Sequence, residues 1–235
     1  MKNVIVTGGS SGIGEASIEL LKSKGFNVIN FDIKKDNKSF YLKTDLSNLD
    51  NIKKNFTKVE KKFGKIHSLV NSAGITFSGN TTKYSIYDWN KTISVNLTAP
   101  FFLTQLVSKN MIKNKVKGSI LNITSIGAEL AFPDNPAYQA SKGGLKHLTK
   151  AFAYDLSRYG IRVNSLAPGY TATPMNKLSY NNKKKRKERS ERTLLKRWGS
   201  SKEIAETVYF LISEKSSFTT GSNYIVDGGW TVKGI

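Results

Sequence analysis

Tyr138 and Lys142 stand four residues apart in the run Pro136-Ala137-Tyr138-Gln139-Ala140-Ser141-Lys142. The surrounding pattern predicts a helix from Pro136 through about Tyr159, so the two side chains share one helical face and can meet. A free phenol, with a pKa near ~10, is a poor proton carrier at neutral pH. A neighbouring ammonium favours the phenolate, and each unit of downward shift is worth about 1.36 kcal/mol. The pair could therefore move a proton to or from a bound hydroxyl. Taken alone the pattern is short, and it more often describes a tyrosine and a lysine on a solvated helix. What changes that reading lies elsewhere in the chain.

Val4-Ile5-Val6 is a short apolar run that ends at Thr7-Gly8-Gly9-Ser10-Ser11-Gly12-Ile13-Gly14. A helical pattern follows through Ser23 and stops at Gly25. Val28 to Phe31 is the next strand and ends at Asp32, eighteen positions after Gly14. Strand, glycine turn, helix, strand and acid together predict a dinucleotide site. Glycines let backbone approach a pyrophosphate, and the helix N-terminus offers free N–H groups and the positive end of its dipole. Gly8, Ser10, Ser11, Gly12, Ile13 and Gly14 are the predicted cradle. The spacing is Gly-x-x-x-Gly-x-Gly rather than the commoner Gly-x-Gly-x-x-Gly.

Further strands are expected at Phe40–Lys43, Ile66–Val70, Gly118–Ser125, Arg162–Leu166 and Asn223–Val226. A helix capped by Ser47 or Asn48 should run from Leu49 to Phe63. Another runs from Ser85 through Met111, and a third, capped by Ser201, reaches Ser213. Asn96 sits inside the second of these among Val95, Leu97, Phe101 and Phe102. A mid-helix Asn competes for backbone hydrogen bonds, so burial there implies a specific partner. The segment 176–197 reads as irregular and basic. Alternating strands and helices predict one α/β domain over residues 1–235, a doubly wound parallel sheet of Rossmann type with helices on both faces. Ligands then collect at the carboxyl ends of the strands.

The length of 235 residues suits one such domain. No cysteine is present, which excludes disulfides, thiolate metal sites and cysteine nucleophiles, and two histidines make a metal centre an unlooked-for outcome. The amino-terminal strand is too short for a signal peptide, and no apolar run approaches the ~20 residues of a membrane span. A cytoplasmic protein is expected. The net charge of +20 comes mostly from lysines scattered among Asn and Ile.

These pieces, in order, resemble the short-chain dehydrogenase/reductase family over essentially the whole chain. The matching motifs are Thr7-Gly8-x-x-x-Gly12-x-Gly14, Asn71-Ser72-Ala73-Gly74, Asn96, Ser125, Tyr138-x-x-x-Lys142, Pro168-Gly169 with Thr173, and Val226-Asp227-Gly228-Gly229. Ser72 departs from the usual second Asn of its turn. The resemblance implies that Tyr138 is the general acid/base for a carbinol proton and that Ser125 hydrogen-bonds the substrate oxygen. It implies that Lys142 lowers the Tyr138 pKa and holds the nicotinamide ribose, and that Asn96 holds a relay water. Thr173 and the Thr171 backbone would orient the carboxamide. Asn71, Ala73, Gly74, Pro168 and Gly169 would complete the cofactor cleft, and Asp45 and Leu46 would flank the adenine. Hydride transfer is expected on the pro-S face.

NAD is the expected cofactor, because the Asp32 carboxylate pairs with a ribose diol and repels a 2′-phosphate. Lys34 and Lys35 keep NADP open. The substrate pocket should draw on Ser125, Gly127 to Phe132 with Glu129, Gln139, Tyr170, Asn176 and a lid over 176–197. The run Asn182 to Arg189 reads first as a solvated helix, next as an anion-attracting lid, and last as a nucleic-acid patch. Two phrases, Ala137 to Gly144 and Thr193 to Gly199, look like the sugar, polyol and sugar-acid (gluconate-type) branch. Reductases of 3-oxoacyl carrier-protein thioesters share most of the same motifs. A member of another class, a retired NAD sensor or nucleic-acid binder, would be separated by a dehydrogenase screen and a salt titration of DNA binding. A homo-oligomer, a tetramer in the family, is expected, with no membrane partner.

Overall fold

The computed structural model describes residues 1–233. In chain order the elements are β1 (Asn3–Thr7), α1 (Gly12–Ser23), β2 (Asn27–Asp32), β3 (Phe40–Lys43), α2 (Leu49–Phe63) and β4 (Ser68–Asn71). Then come α3 (Ile86–Ile93), α4 (Ala99–Lys113), β5 (Ser119–Ile123), α5 (Pro136–Ser157), β6 (Arg162–Pro168) and β7 (Thr171–Ala172). The chain closes with α6 (Lys177–Asn181), α7 (Lys183–Arg192), β8 (Gly199–Ser200), α8 (Ser201–Ile212) and β9 (Asn223–Val226).

The sheet has seven strands in the order β3-β2-β1-β4-β5-β6-β9. Every pairing is parallel. The order reverses between β1 and β4, which opens the crevice where such sheets take ligands. Side chains of the five inner strands alternate between two cores. Ile5, Ile29, Phe31, Leu69, Ile120 and Val163 face α2, α4 and α5, through Ile52, Phe56, Leu103, Val107 and Leu156. Val4, Val6, Val28, Val70, Leu121 and Leu166 face α1 and α8, through Ile18, Leu21, Ile204, Val208 and Leu211. This double burial is why the strands read as continuous apolar runs. No helix among the described residues is long and apolar enough to cross a membrane.

Three local expectations change. The helix expected from Ser85 to Met111 is α3 and α4 joined by a π turn at Ser94–Thr98. The cap of α8 is Ser200, not Ser201. Ser200 accepts from the Glu203 amide while the Glu203 carboxylate accepts from the Ser200 amide, a reciprocal capping box. The segment 176–197 is not irregular, since α6 and α7 occupy most of it. A two-residue ladder between β7 and β8 ties its far end back beside Thr171. Just past it Trp198 is buried. Leu194 and Leu195 are half exposed.

Candidate active site

The glycine turn between β1 and α1 is tightly built. A Cβ on Gly14 would stand 2.2 Å from the Gly8 carbonyl oxygen, so any side chain there breaks the turn. Gly9 N donates to Asn30 Oδ1 at 3.0 Å, and Ser10 N donates to Asp32 Oδ2 at 2.9 Å. The other Asp32 oxygen accepts from Lys34 N at 2.9 Å, and Ser10 Oγ donates to the Lys34 carbonyl. Asp32 thus clamps the turn from the end of β2. The Ser11 hydroxyl makes no capping bond. The first-turn amides of α1 at Ile13 and Gly14 have no intrahelical acceptor, as in any helix. These donors fit a pyrophosphate.

The turn after β4 closes the other side. Thr7 Oγ1 accepts from the amides of Ser72 (3.0 Å) and Ala73 (3.1 Å), which braces the turn without the second Asn. Asn71 is buried and donates to Asn122 Oδ1 at 2.8 Å. A Cβ at Gly74 would lie 3.5 Å from Lys142 Nζ and 3.6 Å from Asn96 Oδ1, so glycine keeps the space before the lysine open. Met175 Cε reaches to 4.0 Å of the same point from beyond β7. Thr173 faces the opposite wall, its Cβ 3.4 Å from where a Gly12 side chain would begin. Gly169 N donates to the Val226 carbonyl, and the Thr171 carbonyl accepts from Asn176 Nδ2 at 3.1 Å. A cleft framed by these groups at the carboxyl edge of β1, β4 and β6 suits a nicotinamide dinucleotide. Asp45 and Leu46 lie apart from these contacts. Asp45 accepts from Ser47 in the turn that leads to α2, and its carboxyl is held below the usual range mainly by those bonds. Leu46 is packed in the core.

Asn96 finds the partner its burial demanded. Its Oδ1 accepts from Ile75 N at 2.9 Å, and its Nδ2 donates to Ile75 O at 2.8 Å and Ser141 Oγ at 3.2 Å. Ser141 Oγ in turn donates to the Tyr138 carbonyl at 2.7 Å. The π turn, which rotates Asn96 out of the helical register, therefore fixes the first turn of α5 to the turn after β4.

Ser125 lies just past β5, and its Oγ accepts from Gly127 N at 3.0 Å, which leaves its own proton to donate. Burial pushes the Tyr138 phenol above its ordinary pKa, and a hydrogen bond from Ser125 partly offsets this. Lys142 is 3% exposed, and burial lowers its ammonium to about 8. Its Nζ donates to the Ile123 carbonyl at 2.7 Å and stands 5.5 Å from the Tyr138 ring centre. The expected depression of the phenol by Lys142 is not seen here, where burial is the largest influence on it. Desolvation acts on both groups, and the lysine is directed at β5.

Burial at this position has a stability consequence. The unfolded Lys142 titrates near 10.5 and the folded one near 8, so below pH 8 the folded protein bears the full cost of an ammonium in a dry site. Between these values the unfolded chain binds more protons, and stability rises with pH. The shift corresponds to at most about 3 kcal/mol, less about 1 kcal/mol for the bond to Ile123. Lys142→Met should thus abolish turnover yet raise Tm at pH 7 by about 4 °C, with the gain gone near pH 10. Melting curves at the two pH values check this, and a lower Tm at pH 7 would show that the lysine stabilises the fold.

The polar groups expected to meet substrate are engaged internally instead. Gln139 Oε1 accepts from Phe132 N, and its Nε2 donates to the carbonyls of Phe132 and Asn135, bracing the loop after β5. Glu129 pairs with Lys146 at 2.5 Å and accepts from Asn223. Asn176 holds the Thr171 carbonyl. Gly127 lies beside Ser125, 3.5 Å from its Oγ to a Cβ. The neighbouring wall is aromatic, with Phe132 and Tyr170 half-buried and Trp198 and Trp230 buried. Tyr170 packs on Trp230 (4.8 Å between ring centres), Trp198 (5.1 Å) and Phe132 (6.4 Å). Tyr170 is also near enough to Tyr138 to raise its pKa. Arg189 lies over Tyr170 at 4.4 Å and Arg192 over Trp230 at 5.6 Å, while Arg186 covers Tyr180. Three arginines at three-residue spacing form one face of α7, a signal legible in the sequence and overlooked. Trp230, just past the Gly-Gly turn, was overlooked too.

A family model described as enoyl-(acyl carrier protein) reductase matches residues 8–231. The 3-oxoacyl-(acyl-carrier-protein) reductase of Thermotoga maritima is 37% identical over 98% of this chain and 98% of its own. A solved 4-hydroxyisoleucine dehydrogenase complexed with NADH is 35% identical, covers 100% of both chains and superposes with a TM-score of 0.95. A gluconate 5-dehydrogenase from Burkholderia cenocepacia, in complex with NADP and tartrate, is 30% identical over 99% of this chain and 96% of its own, with a TM-score of 0.93.

Proposed function

Since this chain belongs to the short-chain dehydrogenase/reductase family, we propose that it interconverts a secondary alcohol and a ketone with NAD, on a sugar, polyol or sugar acid. The observation that carries the reading is the meeting of Ser125, Tyr138 and Lys142 at the open edge of the sheet, beside the aromatic wall. The nicotinamide, when bound, supplies the hydride acceptor or donor. Tyr138 Oη takes the carbinol proton in oxidation and returns it in reduction. Ser125 Oγ–H donates to the same oxygen and steadies the charge that develops there. Asn96, through Ser141 and Ile75, holds Tyr138 and the turn after β4 in register, which sets the reacting geometry. Lys142 supplies positive charge behind the cleft and the hydrogen bonds for a ribose. Because burial raises the phenol, alcohol oxidation should quicken as pH rises, whereas ketone reduction is favoured at lower pH.

The half-buried rings of Phe132 and Tyr170 suit the C–H side of a polyhydroxy chain or ring. Arg189 and Arg192, seated on that wall, bring positive charge that suits a carboxylate. In this reading α6 and α7 form a lid over substrate, hinged near Pro174. A second reading, reduction of a 3-oxoacyl thioester, is favoured by the similarity over almost the whole chain to the Thermotoga maritima reductase. A panel of polyols, sugars, sugar acids and 3-oxoacyl thioesters, followed by the absorbance of reduced nicotinamide, tests both. Best turnover on a polyol or sugar acid supports the first, and best turnover on a thioester replaces it with the second.

The proposal includes a homotetramer. Tyr87 of α3, the Phe101–Phe152 stack between α4 and α5, and Tyr154 leave apolar surface exposed on one side of the sheet. Light scattering should return four times 26.1 kDa, and a mass of a single chain at micromolar concentration would refute it.

A further inference from the structure

On α7, the face next to the arginine stack belongs to a separate feature. An open depression of about 900 Å³ is lined by Lys183, Arg186, Lys187, Lys196 and Lys233, with Glu191 as the one acid among the described residues of its wall. Lys183, Lys187 and Glu191 recur every four residues, so they share a helical face distinct from that of Arg189 and Arg192. None of Ser125, Tyr138, Lys142 or Thr173 lines it.

Its charges are poorly balanced. The Glu191 carboxylate meets Lys187 only at 3.9 Å. The ammonium groups of Lys196 and Lys233 both donate to the Glu191 backbone carbonyl, at 3.1 and 2.5 Å. Two cations thus share one neutral acceptor. The Lys233 ammonium is held below its ordinary pKa, first by desolvation and then by Lys196. Lys196 is also one of three non-glycine residues with positive φ among those described, at 56°. Such a backbone persists only where neighbours fix it. Here buried Thr193 does so, its Oγ1 accepting from Arg197 N at 3.1 Å. The first turn of α7 adds the positive end of a ten-residue helix at Lys183.

We propose that this depression is an anion site, separate from the catalytic cleft, for a small molecule that carries two or more phosphate groups. One phosphate sits between Lys196 and Lys233 and relieves their repulsion, and the next reaches Lys183, Arg186 and Lys187. Such a ligand ties α7 to the segment that follows Trp230 and so holds the lid against the aromatic wall.

The test is calorimetric titration of the NAD-saturated protein in 150 mM-range salt (about physiological ionic strength), with tripolyphosphate and with a nucleoside triphosphate as probes. Saturable binding of tripolyphosphate is expected, at one site per chain. Lys196→Gln with Lys233→Gln should weaken it at least tenfold, about 1.4 kcal/mol, with alcohol turnover unchanged. Lys58→Gln with Lys61→Gln, on α2, removes the same charge elsewhere and should change affinity little. Equal affinity for the two probes assigns the site to the phosphate chain alone, and tighter nucleotide binding assigns it to a nucleotide. Either outcome upholds the site. Equal weakening by both double variants, or the absence of saturable binding, overturns it. Displacement of tripolyphosphate by a lower concentration of duplex DNA, lost in the Lys196/Lys233 variant, also overturns it, by making the patch a nucleic-acid surface.

Discussion

Tyr138→Phe is expected to lower kcat by about 10²–10⁴-fold, the range for losing a positioned general acid/base. The substitution removes one hydroxyl from a half-buried side chain at the start of α5 and leaves the ring. The backbone around it is held by Ser141, Asn96 and Ile75 rather than by the phenol, so the fold should not respond. The cofactor cradle, built from the turns after β1 and β4, does not use the hydroxyl as a brace. NAD affinity by fluorescence titration should therefore persist while turnover is lost. The loss should also be independent of pH, because the group that titrates is gone. A variant with nearly wild-type kcat would remove Tyr138 from the mechanism.

The second large effect concerns the end of β2. Asp32 holds Ser10 N with one oxygen and Lys34 N with the other, so its negative charge stands fixed beside the glycine turn. A ribose diol can donate to such a carboxylate, whereas a 2′-phosphate meets like charge. Ile33, next along, is exposed and offers nothing to a phosphate. Wild-type kcat/KM should favour NAD. Asp32→Ala with Ile33→Arg should move the NAD/NADP ratio toward NADP by roughly 100-fold, about 2.7 kcal/mol. Part of the activity with both cofactors should fall, because the turn loses two bonds. Tighter binding of NADPH than NADH by the wild type would show that Lys34 and Lys35 outweigh the carboxylate.

Much of this site was legible because its residues obey local rules. The β1–turn–α1 unit announces itself through glycines whose spacing backbone sterics enforce. Tyr138 and Lys142 lie on one helical face by periodicity alone. The seven strands follow from apolar runs that two cores explain. What escaped the sequence depends on contacts far apart in it. The π turn at Asn96 exists because Ile75, on another segment, offers both its N–H and its carbonyl. The segment 176–197 has almost no apolar period, yet α7 forms because its arginines stack on Tyr170, Tyr180 and Trp230. Gln139, Glu129 and Asn176 looked free to bind substrate because their internal acceptors and donors, in the loop after β5, on β9 and at Thr171, are invisible to spacing. The effect of Lys142 on Tyr138 was misjudged for a related reason. Adjacency on a helix says nothing of burial, and burial is the largest influence on the phenol, raising it.

The step that most needs testing is hydride transfer from the carbinol carbon to the nicotinamide while Tyr138 takes the hydroxyl proton. Its most direct measurement uses the best alcohol of the panel, deuterated at the carbinol carbon, with unlabelled NAD and the wild-type protein. Mass spectrometry and proton NMR of the reduced cofactor should find one deuterium per turnover, on the pro-S face, with none exchanged into water. Reduced cofactor without the label, or product formed with no reduced cofactor at all, would contradict the account.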